Sequence, residues 1–216
     1  LPAPFTLPPQ LSTPTLREHA MPKPRHMRGR ADPLGTAAVS PVARETLRDK
    51  DDVLFAAVAG AVVLAACSNS LFSPFLLDDL TKVRDNPDIR SLSPAALIYP
   101  YSDVASQNVR RNDPSRPLVF FSFALNHFLL GPSPWHFRAV NILVHVCNVC
   151  LLRRLLRQVA GRCGWSVEHR WIEWGCLLWA GAPITVGCAT YVYARADLLA
   201  ALFSLLSLSA GCSWGG

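Results

Sequence analysis

Half of the 216 residues are hydrophobic and only 17% are charged, against about 25% charged in an ordinary soluble domain. The apolar residues gather in runs such as Val53 to Cys67 and Trp174 to Tyr193, which excludes a soluble globular class. The net charge of +6 does not point to nucleic acid, because such a footprint needs a basic face interleaved with aromatics and these arginines sit at the ends of apolar runs, so no nucleic-acid partner is expected.

Residues 1–50 hold nine prolines, eight Lys or Arg and four acids, with no sustained hydrophobic period. They are expected to form a disordered, basic, Pro-rich tail. The remainder, 51–216, is expected to be all-α and polytopic in the membrane. Val53 to Phe72 is twenty residues without a charge, which as a helix rising about 1.5 Å per residue spans about 30 Å, the thickness of a bilayer core. The basic tail before it predicts a cytoplasmic N-terminus and places residues 73–116 on the far, luminal side. That loop balances its charges and is expected to fold on the membrane surface.

Pro117 to Leu130 is apolar but short, and is closed by Gly131, Pro132 and Pro134. An interfacial or re-entrant helix over about 117–130 is the reading. The second span is placed at about 137–156. Its Arg138, Asn141, His145 and Asn148 fall at i, i+3, i+7 and i+10, on one helical face that should point into a bundle, because intramembrane polar groups are costly against lipid. Arg153, Arg154, Arg157, Arg162 and Arg170 follow on the side to which two crossings return. Two further spans are placed at about 174–193 and 198–211, split by Arg195 and Asp197, with Pro183 kinking or ending the first. The start at Leu1 rather than Met, and the stop at Gly216 just after an apolar run, suggest a fragment.

The residues that could carry chemistry lie at the ends of these spans. Asp78 and Asp79 directly follow the first. Two adjacent carboxylates at a membrane surface could deprotonate a hydroxyl nucleophile or hold a divalent cation, since proximity raises at least one pKa; a solvated helix flank is the plainer alternative. Arg195 could hold a phosphate through its fork of N–H donors, or could pair with Asp197 as a topological punctuation or salt bridge. Asn141 and His145 could bind substrate, although interhelical hydrogen bonding is the commoner use of such residues. The seven cysteines lack the spacing of a disulfide scaffold. Cys147 and Cys150 sit inside an apolar helix, without partner ligands for a redox or zinc role.

The string Asn69-Ser-Leu-Phe-Ser-Pro-Phe-Leu-Leu-Asp-Asp79, followed by Asp85-Asn86-Pro-Asp-Ile89, resembles the transmembrane and tetratricopeptide-repeat protein O-mannosyltransferases. So do Ser115-Arg-Pro-Leu118 leading to Ala124-Leu-Asn126, then Arg138-Ala-Val-Asn-Ile-Leu-Val-His145, then Ala194-Arg-Ala-Asp-Leu-Leu199. The motifs occur in the family's order over about residues 67–211, and match an N-terminal part of it. The resemblance implies a GT-C-type fold in the endoplasmic reticulum membrane. It also implies dolichyl-phosphate mannose as a lipid-linked donor and Ser or Thr of luminal proteins as acceptors. The family's acidic pair falls on Asp78 and Asp79, its Arg-Pro on Arg116 and Pro117, its helical Asn and His on Asn141 and His145, and its Gly-Arg-Ala-acid motif on Ala194, Arg195, Ala196 and Asp197. Either aspartate would then be the general base, and Arg195 or Arg116 would meet the leaving lipid phosphate. One stretch departs: where the family has His-Pro-Ile-His-Thr-Glu, this chain reads Ala182-Pro-Ile-Thr-Val-Gly187. That departure keeps a catalytically inactive membrane scaffold as the alternative, with a transporter or channel fragment behind it on the polar stripe alone.

Overall fold

The structure, a computed structural model, describes residues 41–90, 92 and 115–214. The described residues contain six α-helices and no strand: α1 (Pro41–Cys67), α2 (Pro117–Leu130), α3 (Pro134–Arg162), α4 (His169–Ala180), α5 (Pro183–Thr190) and α6 (Arg195–Trp214). Short turns of 3-10 or π helix lie at Ser68–Ser70, Leu80–Arg84, Asp88–Arg90 and Val192–Ala194. The chain is an all-α polytopic membrane protein. Three stretches are long and apolar enough to cross a bilayer, Asp49–Ser70, Pro134–Arg162 and Val192–Ser213, and the α4–α5 pair, bent by 54°, makes a fourth if it counts as one span.

Proline sets most of the helix starts. Pro117, Pro134 and Pro183 occupy the first turns of α2, α3 and α5, where the missing N–H costs nothing and the fixed φ suits the helix. Between α2 and α3 the chain reverses at Gly131, whose φ of +88° is open to glycine at no steric cost. Gly164, at φ +63°, ends α3 in a Schellman arrangement, the Trp165 N–H reaching Ala160 O at 3.0 Å.

Pro183 also explains the break in the third crossing. It has no N–H to offer and its ring would clash with the carbonyl four residues back, so the run expected over 174–193 is two helices and not one. The Thr185 hydroxyl, within 2.6 Å of Trp179 O and 2.9 Å of Ala182 O, adds a side-chain donor to two carbonyls at the break that also accept backbone N–H groups. Two other boundaries differ from expectation. Helix α1 begins at Pro41, so residues 41–50, assigned to the tail, are helical; proline at a helix start permits what proline inside would forbid. Helix α6 begins at Arg195 and not near 198, because Arg195 is held inside the protein. The rest of the expected tail, 1–40, and the loop from 93 to 114 lie outside the described residues.

Helix α3 is central, touching α1, α2, α4, α5 and α6. On α1, Phe55, Ala59, Val63 and Cys67 repeat every fourth residue and are all buried, forming one face against Ile142 and Val149 of α3 and Cys176 and Ala180 of α4. A second apolar cluster, Phe75, Val83, Ile89, Phe120, Phe123, Phe137 and Val192, seats the segment after α1 upon α2 and the start of α3. The opposite faces carry exposed Leu64, Leu143, Leu178, Ile184, Phe203 and Leu208, the composition of a lipid-facing surface.

Candidate functional site

The polar stripe on α3 turns inward. Arg138, Asn141, His145 and Asn148 are all buried, and each reaches a backbone carbonyl of another segment. Arg138 donates to Thr190 O at 2.9 Å, to Pro74 O at 2.6 Å and to Ser73 O. Asn141 donates to the carbonyls of Tyr191 and Val192 at 3.2 and 3.3 Å, and Asn148 to Leu198 O at 2.9 Å. The start of α3 thus ties the segment after α1 to the turn between α5 and α6. These contacts fix the helix ends: residues 73–79, 134–141 and 190–195 share one end of the bundle.

Arg195 completes that end. It is fully buried, with Nε donating to Asn141 Oδ1 at 2.7 Å, Nη1 to Ser122 O at 3.2 Å and Ser122 Oγ at 3.5 Å, and Nη2 to Asn126 Oδ1 at 2.9 Å and Phe137 O at 2.8 Å. Its guanidinium lies 4.6 Å from the Phe123 ring centroid and 5.7 Å from that of Phe137, within cation–π reach. With its N–H groups so committed, Arg195 presents no donor to a phosphate in this arrangement; it bolts α6 to α2 and α3. Nor does it pair with Asp197, which is exposed on the first turn of α6, where a carboxylate suits the helix dipole.

The two aspartates part company. Asp79 is fully buried: its Oδ1 accepts the Tyr193 N–H at 2.8 Å and its Oδ2 the Leu76 N–H at 3.5 Å. Asp79 therefore pins the α5–α6 turn to the segment after α1, while reaching back across its own turn as the third residue of a capping box does. Burial raises its pKa above the usual carboxylate range, against the pull of those backbone N–H groups and of the Arg138 charge. Asp78 is exposed, and its backbone N–H donates to Tyr191 Oη at 3.3 Å. Burial, with the charges of Asp78 and Asp79 behind it, pushes the Tyr191 phenol up, so its hydroxyl stays protonated. Leu77 just before them has φ +49°, an uncommon left-handed conformation for a leucine, of the kind that accumulates at functional sites.

The other expected residues scatter. His145 is buried one turn deeper, its Nε2 3.1 Å from Ala180 O and its ring 5.3 Å from that of Trp179, and it joins helices without facing a site. Arg116 is exposed at the N-cap of α2. Among the described residues, no group of three or more His, Cys, Asp or Glu side chains gathers to hold a metal ion. Residue chemistry alone did not single out Arg138, Asn126, Ser122 or Tyr191 as members of this end. For Arg138 the signal was its place at the head of the polar stripe; Ser122 and Tyr191 gave none.

No family model matches the chain, and no solved structure matches it. Among curated relatives, protein O-mannosyl-transferase TMTC2 of Mus musculus is 31% identical over 154 residues, covering 70% of this chain and 18% of its own length. Protein O-mannosyl-transferase TMTC1 of Homo sapiens is 32% identical over 176 residues, covering 74% of this chain and 19% of its own. Protein O-mannosyl-transferase TMTC4 of Homo sapiens is 28% identical over 166 residues, with shares of 72% and 22%. The chain spans about a fifth of the length of these relatives. Over the stretch they share, the chain belongs to the transmembrane and tetratricopeptide-repeat protein O-mannosyltransferase family.

Proposed function

We propose that the Asp79 end of this bundle is part of the reaction centre of a protein O-mannosyltransferase that moves mannose from dolichyl-phosphate mannose to Ser or Thr of luminal proteins. On this reading the chain sits in the endoplasmic reticulum membrane, its helices form the first part of a GT-C-type domain, its N-terminus is cytoplasmic, and Asp78 and Asp79 lie at the luminal surface. The observation that carries the proposal is the division of labour between the two carboxylates. Asp79 is locked by backbone N–H groups and cannot turn to a substrate, whereas Asp78 is exposed beside the Tyr191 hydroxyl. Asp78 is therefore the general base and Asp79 its positioning residue.

In the reaction, Asp78 takes the proton of the acceptor hydroxyl as the hydroxyl oxygen forms a bond to the anomeric carbon of mannose. The bond from that carbon to the lipid phosphate breaks on the opposite face, its electron pair leaving on the phosphate oxygen, so configuration inverts. The leaving phosphate is a stable anion and needs cations more than a general acid. Arg195, committed to Asn141, Asn126, Ser122 and Phe137, offers it no donor in this arrangement; Arg116, the other arginine expected to serve, is exposed at the N-cap of α2.

The test is Asp78→Asn, assayed for mannose transfer in this chain and in any longer protein that carries it. Transfer should fall by about 10² to 10⁴-fold, the usual general-base contribution, with the melting temperature unchanged. Near-parental transfer would remove Asp78 from the role. The scaffold reading keeps one specific support, the Ala182-Pro-Ile-Thr-Val-Gly187 stretch, and gains if the unsubstituted long protein transfers no mannose.

A further inference from the structure

A cavity of about 380 Å³ opens beside the segment that carries the aspartates, between it and the α2–α3 turn, with Phe75, Val83 and Phe137 on its apolar side and Arg84, Arg90 and His127 on its polar side. A second hollow of about 430 Å³ adjoins it, sharing Phe75, Arg84 and Pro132. The three basic side chains are not equivalent. Arg84 makes a two-pronged pair with Asp85, at 2.9 and 2.8 Å, and is largely neutralised. Arg90 donates only a long bond of 3.5 Å to Arg84 O and meets no carboxylate among the described residues. His127 lies inside the last turn of α2, and among the described residues no side-chain hydrogen bond occupies its ring. Asp88 is buried, its backbone N–H bound to Asn86 Oδ1 at 3.0 Å. The cavity thus has an aromatic wall and a rim with one guanidinium that meets no carboxylate among the described residues, which is the donor geometry that suits a phosphate oxygen.

We propose that this cavity is a phosphate-binding site, with Arg90 as its principal contact, His127 as a second donor and Arg84 available once Asp85 lets go. The assignment goes beyond the transfer reaction and does not depend on it. The phosphate could arrive on a lipid headgroup, with its glycerol or sugar against Phe75 and Phe137, or as a free anion. The chemistry at the arginine is the same in both cases.

Binding to the purified chain in neutral detergent tests it, with short-chain phosphatidic acid as the lipid probe, phosphatidylcholine of the same chain length as the neutral-headgroup control, and inorganic phosphate as competitor. Phosphatidic acid should bind in preference to phosphatidylcholine. Arg90→Gln should weaken it about tenfold or more, the loss expected for one charge-assisted hydrogen bond, and His127→Gln should weaken it less. Arg162→Gln, at the far end of α3, should leave it unchanged. Competition by inorganic phosphate would make the free anion a ligand, and its failure to compete would make the ligand a lipid; either result supports the site. Unchanged binding in Arg90→Gln, equal weakening by Arg162→Gln, or phosphatidylcholine binding as well as phosphatidic acid would overturn it. None of these readouts involves mannose transfer, so a failure here is separable from a failure of the proposed reaction.

Discussion

Arg195 and Arg153 sit at opposite ends of the bundle, 0% and 4% exposed, and each lies against an aromatic ring, Arg153 over Phe55 at 4.4 Å. Their partners differ in kind. Arg153 bonds two carboxylates, Asp52 and Glu173, the latter at 2.8 Å, and Arg157 bonds the same two at 3.4 and 2.7 Å. Both carboxylates are partly open to solvent. Among the described residues Arg195 bonds only neutral acceptors, of which Asn141, Asn126 and Phe137 are closed in by protein and Ser122 is half-buried. A cluster of opposite charges at a wet rim is redundant, because water or a neighbouring arginine can replace a lost partner. A lone cation among carbonyls and amides is not, because each acceptor it leaves behind has nowhere else to turn. The first arrangement holds helices near one another; the second fixes directions.

Leucine at each position makes the contrast quantitative. Arg195→Leu strands acceptors of Asn141, Asn126, Ser122 and Phe137, and should cost roughly 4 kcal/mol, near the top of single-site effects, read as a loss of folded protein or a large drop in melting temperature in detergent. A cost under about 1 kcal/mol would mean that water enters this end, and the contrast would fail. Asp79→Asn comes next. An amide cannot accept through its nitrogen, so one of the two backbone N–H bonds is lost, at about 1 to 3 kcal/mol at neutral pH.

The same aspartate gives a pH signature. Its folded pKa lies above the ordinary 3.8. The stability it contributes is therefore fully present below that value and is lost as pH rises through the raised folded value. Parental protein should lose stability over that window and Asp79→Asn should lose less; identical pH profiles would contradict the buried, ionisable carboxylate. Arg153→Leu should cost only about 1 kcal/mol, because Asp52 and Glu173 stay partly open to water and keep Arg157 as a partner, and Asp52→Asn less again, within the roughly 0 to 1 kcal/mol that half-exposed pairs contribute. These two effects should shrink in 1 M salt, where the screening length is about 3 Å, while the Arg195 effect should not. Equal salt sensitivity at both ends would erase the distinction.

Much of this arrangement is legible in the sequence alone. Four polar residues at helical spacing in an apolar run could only face inward, so Arg138, Asn141, His145 and Asn148 were readable as a buried stripe. The acidic pair was readable as a site but not as two different roles, because the N–H of Tyr193 that locks Asp79 comes from 114 residues away. The same separation hid the fate of Arg195, whose acceptors lie 54 to 73 residues back and turn a plausible phosphate ligand into a structural bolt. The start of α1 was hidden by composition: Pro41 and the charges after it read as tail, although a helix can begin on proline and carry charges in the turns that project beyond the bilayer.

The acceptors that α3 reaches for have a further consequence. Arg138, Asn141 and Asn148 recognise peptide carbonyls of Ser73, Pro74, Thr190, Tyr191, Val192 and Leu198, groups that every amino acid carries. Tolerance to substitution should therefore be lopsided. The donor side of each bond demands one residue type in one rotamer, whereas the acceptor side constrains only the path of the main chain and leaves its side chains free to drift. A saturation library of this chain, sorted for folded protein, would show a few intolerant columns on α3 facing permissive ones at residues 73, 74 and 190.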